Sequence, residues 1–127
     1  MKIYVSHSRS FDFRSELYQP LRLINGIEWV FPHETSEQTY PVLELIRSGT
    51  LNLIIAEVSY PSTGQGIELG WAFLEGIPII CVYRSGLTPG ASLRAILKEF
   101  LEYSGHEDLI NMIENRLKTG IGKEGLL

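Results

Sequence analysis

The sequence is poor in cysteine and carries no excess of positive charge, and each shortage narrows what the protein can be. One cysteine, Cys81, in 127 residues excludes an intrachain disulfide framework and any zinc or iron–sulfur site built on several thiolates. Eleven Lys and Arg against fifteen Asp and Glu leave a net charge of −4, which argues against a surface that wraps polymeric nucleic acid. A small anionic ligand stays possible, because one helix N-terminus can hold a phosphate whatever the global charge. No apolar run approaches the about 18 residues of a membrane span, so no membrane partner is expected. Lys2-Ile-Tyr-Val5 runs at once into polar Ser6-His-Ser-Arg-Ser10, unlike a secretory leader. The three histidines, His7, His33 and His106, have no metal-ligand spacing, and His33-Glu-Thr-Ser-Glu37 is not the His-Glu-x-x-His of a zinc protease. The Gly-x-Ser-x-Gly of a nucleophile elbow is also absent. A soluble, cytoplasmic protein without metal or other cofactor is the expectation.

With 44% apolar and 20% charged residues, the chain has the composition of a folded domain. A chain of this length buries roughly 65–70% of its unfolded surface. One domain over 1–127 is expected, with a patternless tail, 119–127, that frays.

Short β-rich runs alternate with segments of helical period. Ile3-Tyr-Val5 predicts a first strand, followed by the polar loop Ser6–Ser10. Phe13, Leu17, Leu21 and Ile24 recur at helical spacing, with a kink or break at Pro20. Ile27–Phe31 predicts the second strand, Pro41–Arg47 a helix stopped by Ser48-Gly49, and Leu51–Val58 a central strand covered on both faces. A helix running to about Glu75 follows, then a strand over Ile77–Tyr83. Thr88-Pro89 reads as a helix start, with Leu93, Ile96, Leu97, Phe100 and Leu101 as its apolar stripe. Leu101–Tyr103 is an alternative short edge strand. Ser104-Gly-His-Glu107 matches a capping box before a last helix with Leu109, Ile110, Ile113 and Leu117 on one face. Strands separated by helices imply a doubly wound α/β fold, Rossmann- or flavodoxin-like, in three layers around a parallel sheet of four to five strands.

In such a sheet ligands bind beyond the carboxyl ends of the strands. The loops there carry His7, Ser8, Arg9, His33, Glu34, Ser59, Ser62 and Gly64. The densest signal is Ser59-Tyr-Pro-Ser-Thr-Gly-Gln-Gly-Ile-Glu-Leu-Gly70. Small residues there admit a ligand to the backbone, and the helix start offers unpaired N–H groups. Ser62 with Gln65 also has capping-box spacing, a structural alternative of about 1 kcal/mol. Glu68 is expected in the first turn of that helix. It reads either as a charge placed favourably on the helix dipole or as a carboxylate kept ionised for nucleophilic work. Cys81, inside an apolar strand, reads as an inert core thiol. Trp29 and Trp71 read as core residues, with Trp71 able to flank a pocket.

The stretch Leu53-Ile-Ile-Ala-Glu-Val-Ser-Tyr-Pro-Ser-Thr-Gly-Gln-Gly-Ile-Glu-Leu-Gly-Trp-Ala72 resembles the signature of the nucleoside 2-deoxyribosyltransferase-like proteins. It is most similar to the branch that hydrolyses 2'-deoxynucleoside 5'-monophosphates. The resemblance implies Glu68 as catalytic nucleophile and Tyr4 as the tyrosine that positions it. It places Ser62 and Gly64 in a phosphate loop, and Ser92 at the phosphate of a neighbouring subunit in a homodimer. His33 falls near a base-pocket histidine, and Ser8 matches a serine of the first loop. Arg9 stands one position from the expected arginine. Glu44 occupies the place of an acid/base or sugar-anchoring aspartate, and Asn52 replaces another aspartate. Ser6-His-Ser-Arg-Ser10 stands in for a glycine-rich turn. The implied activity is N-glycosidic bond cleavage on a small nucleotide, with a deoxyribosyltransferase or a non-catalytic nucleotide-binding module as alternatives.

Overall fold

The computed structural model describes residues 1–120. Five strands form one parallel sheet in the order β2-β1-β3-β4-β5. They are β1 Lys2–His7, β2 Glu28–Val30, β3 Leu53–Glu57, β4 Ile79–Arg84 and β5 Phe100–Tyr103. Between them run a π-helix, Arg14–Tyr18, that leads directly into α1, Gln19–Arg22, then α2, Val42–Arg47, and α3, Thr63–Leu74. A 3-10 helix, Ala91–Ala95, and α4, His106–Lys118, complete the set. Among the described residues no helix is long and apolar enough to cross a membrane.

The period-2 alternation of the strands sorts the core into two layers. Ile3, Val5, Leu53, Ile55, Ile80 and Val82 face Phe13, Leu17, Tyr18 and Leu21 and, from α4, Leu109 and Ile113. Tyr4, Ile54, Ala56 and Cys81 face the opposite way, onto Val42 and Ile46 of α2 and Leu69 and Ala72 of α3. All five residues of β3 are buried, as a central strand covered on both sides requires. The result is the doubly wound three-layer sandwich expected from the alternation of elements. The chain leaves β1 for β2 on one side and returns to β3 on the other, so the topological switch lies between β1 and β3.

Several elements depart from the sequence expectation. β1 runs on to His7, taking Ser6 and His7 out of the expected loop. Pro20 falls at the second position of α1, where no N–H is needed, and the wide π-turn before it absorbs the irregularity. The helix expected from Thr88 to Leu101 shrinks to Ala91–Ala95. Phe100 and Leu101 instead pair with Cys81 and Val82 in β5, because an open edge of β4 gains a full ladder from a fifth strand. Ser104 and Glu107 form no capping box. Asp108 takes that place and accepts from both the N–H and the hydroxyl of Ser104. α3 ends before Gly76, whose φ of 75° suits a residue without a side chain and turns the chain toward β4. Of the tail expected to fray, Thr119 caps α4 with its hydroxyl on the Arg116 carbonyl, and residues 121–127 lie outside the described residues.

Cys81 is fully buried in β4, and burial pushes its thiol up to about 12. An aromatic disulfide reagent should leave the native protein unlabelled and react fully once denaturant is added. Rapid labelling under native conditions would show that β4 opens at its centre.

Candidate active site

The switch between β1 and β3 opens a crevice at their carboxyl ends, and α3 starts directly behind it. Ser62 caps α3, its Oγ accepting from the Gln65 N–H at 3.2 Å. Gln65 does not complete a capping box. Its Nε2 instead donates to the Glu57 carbonyl at 2.9 Å, tying α3 to the end of β3. Glu68 follows as the sixth residue of α3, in the second turn rather than the first, where the helix dipole has faded. The dipole therefore does not hold this carboxylate. Two hydroxyls from β1 do so, Tyr4 Oη donating to Oε2 at 3.3 Å and Ser6 Oγ to Oε1 at 3.1 Å. Burial pushes the Glu68 carboxyl above its usual range, and the Ser6 and Tyr4 donors pull it partly back. Tyr4 is itself raised far above an ordinary phenol, by burial and then by the charge on Glu68, so it remains a donor.

Two cavities meet at Glu68. One, of about 260 Å³, is polar and is lined by His7, Arg9, His33, Ser62 and Gln65. The other, of about 320 Å³, is largely apolar, with Val42, Leu43, Ile67 and Trp71 on its walls. Thr39, Tyr40, Gly64 and Glu68 belong to both. A Cβ at Gly64 would meet nothing within 4 Å, so this glycine leaves open space between the two halves. Trp71 flanks the apolar half and is 39% exposed, so it is not a core residue.

The structure thus brings Glu68, Tyr4, Arg9, His33, Ser62 and Gly64 together. It does not bring Glu44, which is exposed on α2 and lines neither cavity, whereas its neighbour Leu43 lines the apolar one. Asn52 lies away from the crevice, where its Oδ1 accepts from the Lys2 N–H at the opposite end of the sheet. Ser8 is buried and engaged with Ser10, their Oγ atoms 2.8 Å apart. Ser92 is exposed and lines a third cavity, of about 300 Å³, together with Tyr60, Ser62, Thr63 and Gly66. Among the described residues no group of three or more His, Cys, Asp or Glu is arranged to hold a metal ion.

No family model matches the chain, and no curated protein matches it by sequence. A search of solved structures does find similarity, to the CMP N-glycosidase BcmB of Clostridium botulinum. That likeness covers 90% of this chain and 99% of that one, with a TM-score of 0.62 and 18% identity. The fold is shared with a nucleotide N-glycosidase. At the level of the fold, this supports the resemblance carried by Leu53–Ala72.

The polar cavity's wall is held by hydrogen bonds that sequence reasoning did not reach. His7 Nδ1 lies 2.7 Å from the Ser8 carbonyl, which can only accept, so Nδ1 carries the proton. Its Nε2 then accepts from the Tyr18 hydroxyl at 2.6 Å, and the Tyr18 oxygen accepts the N–H of His33 at 3.1 Å. A directed chain therefore links the end of β1 to the loop bearing His33. His33 Nδ1 faces the Ser36 carbonyl, leaving Nε2 to accept from Arg9 Nε at 3.3 Å. Arg9 makes no ion pair among the described residues. Behind the other wall, the buried Glu57 carboxylate accepts from Ser59 N at 2.7 Å, Ser59 Oγ at 2.8 Å and the Tyr103 hydroxyl. Ser59 Oγ in turn accepts from Arg84 N at 2.8 Å, so the loop after β3 is knotted to β4 and β5. Ser6 had a legible signal: two residues beyond Tyr4 on one strand, it shares Tyr4's face. Tyr18 and Tyr40 had none, since only the fold shows where they point.

His7 is stacked on Phe13 with ring centroids 4.3 Å apart, and burial lowers it from 6.5 to about 4. Its ring should stay neutral down to about pH 4 in an NMR titration of the native protein. The unfolded chain takes up that proton near 6.5, so stability should fall as pH drops from 6.5 toward 4 and then level off. A native ring titrating near 6.5 would break the hydrogen-bond chain.

Proposed function

We propose that the protein belongs to the nucleoside 2-deoxyribosyltransferase-like proteins and hydrolyses the N-glycosidic bond of a 2'-deoxynucleoside 5'-monophosphate. The observation that carries this reading is Glu68: a part-buried carboxylate, held by one hydroxyl on each oxygen, where a polar and an apolar cavity meet. In this mechanism a Glu68 oxygen attacks C1', and the C1'–N bond breaks with its electron pair leaving on the base. The transition state is oxocarbenium-like, as in retaining glycosidases. The departing nitrogen takes up a proton delivered by water through the open cleft. A water molecule then attacks C1' of the ester, puts its oxygen on the sugar, loses a proton and frees the Glu68 carboxylate.

The phosphate belongs at the start of α3. Ser62 Oγ accepts from Gln65 N, which leaves its own O–H free to donate. The N–H groups of Thr63 and Gly64 precede the first intrahelical bond, from Gly66 N to Ser62 O. Arg9 adds a cation to the same cavity. The CMP in the name of BcmB favours a ribonucleotide as the second reading. A homodimer completes the proposal. Ser92 lines a cavity with Ser62 that does not include Glu68, and in the proposed dimer it serves the phosphate of the partner's site. Exposed Ile67, Trp71, Phe73 and Leu74 on α3 supply apolar surface for the interface.

Incubation with deoxy- and ribonucleoside monophosphates should release free base, detected by chromatography, and Glu68→Gln should abolish the release while keeping the fold. The 5'-monophosphate should be preferred over its nucleoside by about tenfold or more, the equivalent of one charge-assisted hydrogen bond. Wild-type turnover in Glu68→Gln would remove Glu68 as nucleophile. Base exchange on addition of a second base would make the protein a transferase, and binding without release a sensing module.

Mixing Glu68→Gln with a Ser92→Trp variant should restore part of the activity, since one site of the mixed dimer then holds both native groups. Subunit exchange without any recovery would mean that each subunit works alone.

A further inference from the structure

Ser6 is 1% exposed and occupies the crevice end of β1 opposite Ala56 of β3. Tyr4, two residues earlier, shares its face, and the surroundings on that face are apolar: Ile54, Ala56, Leu69. A strand residue there has no need of a hydroxyl for packing. Among the described residues the one side-chain hydrogen bond of Ser6 runs to Glu68 Oε1 at 3.1 Å, on the oxygen that Tyr4 does not touch.

We propose that Ser6 is a positioning residue for the nucleophile: its hydroxyl fixes the plane of the Glu68 carboxylate together with Tyr4 and keeps that carboxylate unprotonated. This rests on the reading of Glu68 as nucleophile and adds a residue which that reading does not require. One donor on each oxygen leaves each oxygen a lone pair, so neither hydroxyl blocks attack on C1'. The attack turns a charged acceptor into a neutral ester, and water then restores the charge. A donor on Oε1 therefore favours the attacking carboxylate before the first step and the departing carboxylate in the second.

The groups around Glu68 leave this role to the two hydroxyls. From β1 and its end come Tyr4, Ser6, His7 and Arg9, and from the loop before α2 come His33 and Tyr40. On α2, Glu44 is exposed and Arg47 pairs with Glu75. Of all these only Tyr4 and Ser6 hydrogen-bond to Glu68.

The test measures Glu68 directly and in turnover. A 13C carboxyl titration, with the Glu68 signal assigned by its loss in Glu68→Gln, should show the Glu68 pKa higher in Ser6→Ala than in the native protein. The acid limb of kcat/KM should move to higher pH by the same amount. A shift of one unit corresponds to about a tenfold loss of activity well below the limb, with little change on the plateau. KM should stay within about twofold, because Ser6 is not placed to touch substrate. Ser6→Thr, which keeps the hydroxyl, should titrate like the native protein, and it also serves as the control for folding. An unchanged Glu68 titration in folded Ser6→Ala overturns the proposal. Because the titration needs no substrate, a shifted Glu68 in a protein that releases no base would overturn the glycosidase reading and leave Ser6 in place.

Discussion

A carboxylate taken out of water must be given donors in return, and most of the crevice is organised around giving them to Glu68. The donors come from a different element than the carboxylate, so their meeting depends on how α3 and β1 are placed. β1 must keep its pleat through Ser6 for Tyr4 and Ser6 to point the same way. α3 must start where Ser62 caps it, because one residue of shift would rotate Glu68 by about 100° around the helix. Gln65, buried and bound to the Glu57 carbonyl, holds that start in place. The geometry around Glu68 is thus set by a strand's phase and a helix's first residue.

The sheet also divides the work between its faces. On the face toward α2 and α3 lie Tyr4, Ser6 and Glu68. On the face toward α1 and α4 lie His7 and Glu57, side by side in the strand register. Their hydrogen bonds run to the loops after β1 and β3, to Tyr18 and to Tyr103. One face carries the Glu68 carboxylate and the other holds the loops that wall the cleft. Among the described residues no buried side-chain polar atom lacks a partner, so both arrangements are closed.

The sheet, its two core layers and the capping of α3 were legible from residue pattern, because each is a period or a local signal. The fifth strand was ambiguous. Phe100 and Leu101 fit a helical stripe with Leu93 and Leu97 as well as they fit a strand, and the unpaired edge of β4 decides between them. The carboxylate and its tyrosine were readable through a resemblance along Leu53–Ala72. Ser6 was masked by ending β1 too soon, a boundary error of two residues with a chemical cost. His33 was readable as a candidate, but Tyr18 and Tyr40 beside it were not, since those residues converge only through tertiary packing. Glu44 shows the limit of a resemblance along the chain: it stands in line with an acid, yet it is exposed on α2 and lines neither cavity at Glu68.

The two walls of the cleft are held by different physics. The Glu57 knot gathers a carboxylate with neutral donors, out of reach of dissolved ions. The opposite wall, residues 33–38, is fastened by arginines: Arg14 to the His33 carbonyl at 3.1 Å and to Glu37 at 2.5 Å, Arg22 to Glu34, and Arg9 to the Gln38 carbonyl at 3.3 Å. These ion pairs are about half exposed, and mobile ions screen such pairs over about 8–10 Å. Ionic strength therefore acts on one side of the crevice and spares the other. Raising it slackens the wall that carries His33 and Arg9, while Glu68 and its two hydroxyls keep their places.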